Sequence, residues 1–511
     1  MAGNIVATSQ PLAVQAGLAM LERGGNAVDA AVAAAIALAV VEPTMNGIGG
    51  DAFAIVWDGR ELHGLNGSGR SPAAWSFDRF AHLEAMPPVG WDSVTVPGAV
   101  SAWVELSDRF GRLPFVELFQ PALRYARKGF LVSPVTATVW AAAPAKYAAF
   151  PDFGQSFLID GRAPRVGEHF VCPGQADSLE LIARTKGEAF YRGELARKLV
   201  AHARDSGGLI TEEDLATHRA DWVELLSTDY SDFTLHEIPP NGQGIAALIA
   251  LGILDNWDIR EYPVDSAISL HLQIEAMKLA LADTYRYVAD PLAMVIGPRD
   301  FLAPSYLASR ARQVDPDRAQ EFGPGVPREG DTVYLTAADE GGMMVSLIQS
   351  NYFDFGSGIV VPGTGISLHS RAAGFSVSGG HPNRVDGGKR PFHTIIPGFV
   401  TRAGEPVMSF GVMGGPMQPQ GHVQLALRIF AYGQNPQAAC DAPRWQVVSP
   451  AEVALEPGFA PDVVQGLKAR GHRIAVPSPG RSFGGAQLAY RLVGGYCGAS
   501  DPRKDGQAAG F

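Results

Sequence analysis

The sequence predicts an α+β fold in which sheets are covered by helices, and three observations predict it. A run of small apolar residues at 27–41 reads as a buried helix, the segments 332–339 and 343–350 read as a strand hairpin, and 422–433 carries an apolar helix pattern able to cover a sheet face. The size agrees: 511 residues, 46% of them hydrophobic and only 18% charged, are ample for a large core or several. A net charge of -11 with no long Lys/Arg run argues against a general nucleic-acid partner. Cys172, Cys440 and Cys497 are odd in number and lack metal-ligand spacing, so a reduced, cytoplasmic protein is expected. Residues 1–10 show neither the basic start nor the apolar core of a signal sequence. The run 27–41 contains Asp29 and ends at Glu42-Pro43, short of the roughly 20 apolar residues a membrane span requires.

Each element follows in order. Ser9 before Gln10-Pro11 reads as a cap with a first-turn proline, opening a helix that Gly24-Gly25 stop. The alanine-rich helix comes next, its small side chains suiting close approach between layers. Residues 46–60 read as a glycine turn, a strand over 52–57 and an Asp-Gly hairpin turn. The stretch 90–230 is helix-rich in pattern, with Thr211 and Asp214 spaced as a capping box, and 243–286 is mostly helical. From 293 to 331 the periodicity gives way to Pro, Gly, Asp and Arg, the composition of an exposed connector where chains are cut. The hairpin 332–350 follows, its second segment apolar enough for a sheet centre, then a third strand within 406–415. The tail 498–510 is expected to fray.

Asp331-Thr332 stands at the junction of connector and strand. A threonine hydroxyl is an ordinary group until a base takes its proton, and cutting the peptide bond before it supplies one: its own new α-amine. Around this junction lie 5-IVATSQPLAVQAGLAMLERGGNAVDAAVAAAIALAVVEP-43, 47-GIGGDAF-53, 356-FGSG-359, 388-GKRPFHTIIP-397 and 411-GVMGG-415. In these segments the chain resembles the γ-glutamyltransferase family of N-terminal nucleophile hydrolases, over most of its length. The resemblance implies a four-layer αββα sandwich, self-cleavage between Asp331 and Thr332 into a large (1–331) and a small (332–511) subunit, and amide hydrolysis or acyl transfer through an acyl-threonine. The two subunits would remain together as a heterodimer, because neither could bury its sheet alone.

The same resemblance assigns roles. Thr332 takes the nucleophile position, Ser350 stands where the family usually has a threonine bonded to the nucleophile, and Gly414 and Gly415 match the glycines whose N–H groups form the oxyanion hole. Glycine suits that last place because a β-carbon would block the tetrahedral oxygen. The chain departs from the family in its acyl pocket. Tyr352, Arg371 and Gly374 replace an asparagine, a glutamine and an aspartate that hold an α-amino group; His393 and Thr394 replace two carboxylate-binding serines; and Arg70 lies two residues out of register with the family's arginine. Tyr352, Arg371, His393, Thr394 and Arg70 are therefore the expected substrate-binding residues. They favour an acyl group bearing an anion or vicinal oxygens and no ammonium, since an arginine fork selects carboxylates.

This pattern is similar to the family's non-glutathione branch of cephalosporin acylases and oxamate amidohydrolase. The expected function is an autoprocessing amidohydrolase for a small or moderately sized amide with an anionic or oxo-acid acyl part, oxamate-like or glutaryl-like. Two alternatives stand beside it: a γ-glutamyl hydrolase or transpeptidase with a rearranged pocket, and an unprocessed, non-catalytic binding homologue. Only 12 residues, 377–388, occupy the place of the family's lid loop, which favours hydrolysis over transfer. The mechanism calls for no cofactor, and the histidines at 369, 381, 393 and 422 lack metal-ligand spacing.

Overall fold

Alternation along the strand Asp331–Ala338 sets the architecture. Successive side chains of a strand point to opposite faces. Val333, Leu335 and Ala337 join the helix Ala27–Val41 in one core, whereas Tyr334 and Ala338 join a second core with Phe399 and Ala489 of another sheet. A third core packs Val400, Met408 and Leu488 against the helices Ile245–Leu254 and Ala267–Tyr287. The layers are therefore helix, sheet, sheet, helix, the αββα sandwich of N-terminal nucleophile hydrolases. The computed structural model describes residues 1–322, 331–475 and 483–511, and residues 323–330 of the expected connector lie outside them.

Among the described residues, the first sheet has seven antiparallel strands in the order Gln507–Gly510, Ile5–Thr8, Asp331–Ala338, Met344–Tyr352, Asp51–Trp57, Leu62–Asn66, Asp221–Val223. The second has six, with Gly495–Ser500, Ala486–Leu492, Glu405–Val412 and Gly398–Arg402 followed by Phe233–Glu237 and Leu226–Tyr230. Both sheets thus interleave strands from either side of residue 331. Polar contacts stitch them face to face, as between the Thr336 and Ser409 hydroxyls at 2.6 Å.

The helix Ala27–Val41 is buried along all its 15 residues. Its N-terminus carries a capping box of Asn26 and Asp29, and Asp339 Oδ2 accepts the Ala27 N–H at 2.7 Å. Caps of this kind contribute about 1 kcal/mol each. Asp29 is tolerated inside because it also accepts the N–H groups of Arg112 and Leu113, although burial still raises its pKa.

Four expectations change. Gln10, not Ser9, caps the first helix, Pro11–Glu22, while the Ser9 hydroxyl donates to Glu42 at 2.5 Å. The tail does not fray as a whole, since Gln507–Gly510 pairs with Ile5–Thr8. The pattern at 422–433 belongs to a helix that begins earlier, Met417–Ala426, and widens into a π-turn over Leu427–Ala431. The stretch from 293 is not an exposed connector throughout: Pro304–Ala311 is a helix, and Phe301, Leu307 and Val314 are buried in the third core. Residues 315–320 are pinned beyond it, with the Asp315 carbonyl 2.8 Å from His271 Nε2 and the Gln320 N–H and C=O on Glu275 and Lys278.

Candidate active site

Thr332 is the second residue of its strand and shares the parity of Tyr334 and Thr336, so its side chain faces the gap between the sheets. The neighbouring strand breaks register here: Gln349 pairs with Val333, but the next partner of Asp331 is Tyr352. Two residues, Ser350 and Asn351, therefore oppose Thr332, a bulge that re-aims side chains. Tyr352 closes it at φ +75°, a left-handed conformation rare for an aromatic residue. The Thr332 hydroxyl donates to Ser350 Oγ at 3.3 Å, and the same Ser350 oxygen accepts the Tyr352 N–H at 2.8 Å and an Arg371 N–H at 3.2 Å.

Gly414 and Gly415 follow the end of the strand Glu405–Val412 at φ +113° and +58°, just before the helix Met417–Ala426. Only glycine adopts such angles without strain. A β-carbon on Gly414 would stand 3.0 Å from the Gly484 backbone. Among the described residues neither glycine N–H has an acceptor, whereas the Gly415 carbonyl is held by Gln243 Nε2 at 2.8 Å. Two oriented, unengaged N–H dipoles at a helix start suit a developing oxyanion.

Arg371 is fully buried. One terminal nitrogen donates to Thr394 Oγ1 at 2.9 Å, the other to Ser350, and its guanidinium carbon lies 4.3 Å from the centre of the Tyr352 ring. No carboxylate lies within ion-pair distance of it among the described residues, and its Nε has no acceptor. Burial pushes its pKa down to about 10, against the pull of Asp51, so it stays charged at neutral pH.

Three of the five expected substrate-binding residues, Tyr352, Arg371 and Thr394, come together beside Thr332 and Ser350. Two do not. Arg70 turns away, its guanidinium donating to Asp290 at 2.7 Å and to the Gly388 carbonyl, so its charge is already neutralised. The His393 ring is engaged on all sides: Nε2 meets Asp51 Oδ2 at 3.0 Å, Nδ1 accepts the Ile395 N–H, and the ring lies on Phe53.

Asp51 was not singled out in the sequence. Burial alone would raise its pKa, but the imidazoles of His369 and His393 outweigh that and hold it below the usual carboxylate range. His369 Nδ1 is 3.2 Å away but off the line of a hydrogen bond. Gln418 and Gln243 were missed as well, having no motif beyond standing near glycines. Gln418 Nε2 donates to Thr332 Oγ1 at 3.3 Å, and Gln243 bridges the Gly415 and Thr394 carbonyls. Elsewhere His271, Glu275 and His472 lie close enough to share a cation, but Lys278 Nζ is already 2.8 Å from Glu275.

Burial, and then the Arg371 charge, push the His393 pKa down to about 3; burial pushes that of His218 down to about 4. Both are neutral in the fold, while an unfolded histidine takes its proton near 6.5. Their stabilisation is complete above that value and is lost as pH falls toward 4. Each is expected to remove roughly 1.4 kcal/mol per pH unit across that window, measured as urea midpoints between pH 7 and 4.5.

Residues 13–511 match the family described as gamma-glutamyltranspeptidase. The chain belongs to this family. Curated relatives include the glutathione hydrolase-like YwrD proenzyme of Bacillus subtilis, 35% identical over 99% of this chain and 98% of its own length. The oxamate amidohydrolase proenzyme of Klebsiella pneumoniae is 36% identical over 98% and 97%. Among solved structures, cephalosporin acylase from Bacillus halodurans superposes with a TM-score of 0.96 at 47% identity, covering 100% of this chain and 96% of its own. Within the gamma-glutamyltranspeptidase family the chain lies on the side of the acylases and oxamate amidohydrolase, and it is a hydrolase of amide bonds.

Proposed function

We propose that this protein cleaves itself between Asp331 and Thr332 and then hydrolyses an amide whose acyl part carries an anion or oxo-acid oxygens. The observation that carries the substrate reading is Arg371: a buried, charged guanidinium beside the Thr332 hydroxyl, with no carboxylate partner among the described residues and an Nε lacking an acceptor. A buried guanidinium with no carboxylate at ion-pair distance is costly; an incoming carboxylate supplies a counter-ion there, and vicinal carbonyl oxygens supply acceptors. An ammonium at that place would be repelled, which sets the proposal apart from glutathione as substrate.

In the precursor, Thr332 Oγ attacks the Asp331 carbonyl carbon, the C–N bond breaks as the hydroxyl proton passes to the departing Thr332 nitrogen, and an ester with a free Thr332 amine results. Water hydrolyses the ester, leaving the Asp331 carboxylate and the Thr332 hydroxyl. In the mature enzyme the amine takes the hydroxyl proton as Oγ attacks the substrate carbonyl, and the Gly414 and Gly415 N–H groups receive the oxyanion. Collapse expels the leaving amine, which takes that proton. The Thr332 amine then deprotonates the water that releases the acid.

The fragments 1–331 and 332–511 would stay paired, because Ile5–Thr8 lies between Gln507–Gly510 and Asp331–Ala338 in one sheet. The segment 377–388 supports hydrolysis over transfer: it is folded down by Val385 N–H on the Ser376 carbonyl and Lys389 on the Pro382 carbonyl, and forms no long flap. The three free thiols support a reducing, cytoplasmic location.

Turnover of oxamic and glutaryl amides against γ-glutamyl-p-nitroanilide tests the substrate class. The anionic amides are expected to be preferred by roughly 100-fold in kcat/KM, as for one well-placed arginine contact. Preference for the γ-glutamyl compound would overturn it.

A further inference from the structure

The proposed chemistry leaves one group at the nucleophile without a role. Gln418 lies in the first turn of the helix Met417–Ala426, three residues after Gly415, and is fully buried. Its Oε1 accepts the Ile396 N–H at 2.9 Å, which fixes which end of the carboxamide is which. The amide nitrogen is thereby left to donate, and it donates to Thr332 Oγ1 at 3.3 Å.

A threonine oxygen has one proton and two lone pairs. Here the proton goes to Ser350 Oγ and one lone pair takes the Gln418 N–H, so one lone pair remains to attack a carbonyl. We propose that Gln418 is a further catalytic residue, whose carboxamide N–H aims the free lone pair of Thr332 Oγ1 and stabilises the negative charge that gathers there as the proton leaves. The same contact serves both reactions of that oxygen, because each begins with Oγ–H bond cleavage and Oγ–C bond formation. In self-cleavage the carbon is that of Asp331; in turnover it is the substrate's. No redox step or extra reactant is involved.

This inference rests on Thr332 being the nucleophile, and its test keeps the two apart. Gln418→Glu retains the acceptor for Ile396 but loses the donor, and Gln418→Met loses both. Gln424 provides a matched control: it is buried in the same helix and bonds the Trp445 backbone at both ends of its carboxamide, away from Thr332. Self-cleavage of purified precursor would be followed by denaturing electrophoresis. For the processed fraction, kcat and KM on an oxamic amide and the melting midpoint would be compared.

Both Gln418 variants are expected to slow self-cleavage and lower kcat by roughly 100-fold, the lower end of what loss of one oriented donor does, with KM changed less than about threefold. Gln424→Met should lower the midpoint yet keep kcat. If Gln418→Met does not fold, Gln418→Glu decides alone. Wild-type rates in a folded Gln418 variant would overturn the role of Gln418 while leaving Thr332 in place. Equal losses of kcat in the Gln424 control would also overturn it, by reducing the effect to helix packing.

Discussion

Thr332→Ala is expected to remain one chain of 511 residues, while the wild type separates on denaturing electrophoresis into fragments 1–331 and 332–511. The hydroxyl is the only group of Thr332 that can attack the preceding carbonyl, and alanine removes it without disturbing the strand. Val333 and Tyr334 keep their places in the two cores, so the variant should fold with a near-wild-type midpoint. Amidase activity should fall to background, a loss of at least about 10⁴-fold, because nucleophile and base vanish together: there is no free amine unless the bond is cut. Edman sequencing of the wild-type small fragment should begin Thr-Val-Tyr-Leu. A different first residue would remove Thr332 from the centre of the mechanism. Thr332→Ser should still cleave, more slowly, since it keeps the hydroxyl but frees its χ1 rotation.

The second large effect is at Arg371, and it has two signs. Arg371→Met, once processed, should lose roughly 100- to 1,000-fold in kcat/KM on an oxamic or glutaryl amide, as expected for a bidentate charged contact in a dry pocket. Its melting midpoint should be no lower than wild type's. The methionine fills similar volume and removes a buried charge that has no carboxylate at ion-pair distance among the described residues and feels only the more distant pull of Asp51. Thr394 and Ser350 lose one donor each, but Ser350 still receives the Tyr352 N–H. Arg371→Lys keeps the charge and loses the fork, so an intermediate loss is expected. A large fall in stability with little change in kcat/KM would make Arg371 a structural residue and remove the anionic acyl group from the proposed function.

Much of the fold was legible because it follows from local pattern. The alanine run, the hairpin and the glycine pair declare themselves within about 20 residues each, and period alone puts Thr332, Tyr334 and Thr336 on one face. The expected connector was misread for a related reason. Its Pro- and Gly-rich composition masks a short helix that buries only Leu307 and Ala311, too few to show a period.

The site separates in the same way. The sequence by itself, through its family resemblance, determined that Thr332, Ser350, Gly414 and Gly415 are the residues to look at, since motif segments carry that resemblance along the chain. Only the tertiary structure decided which arginine lies beside Thr332: Arg70 and Arg371 are equal as residues, but Asp290 pairs with the first, while the second reaches Ser350 and Thr394. It likewise engaged the His393 ring by bringing Asp51 from 342 positions away, and brought Gln418 to Thr332 across 86. A strand's period states which way a side chain points. What it meets there is set by the packing of other elements, and a charge left unmatched by that packing is visible only when all of them are in place.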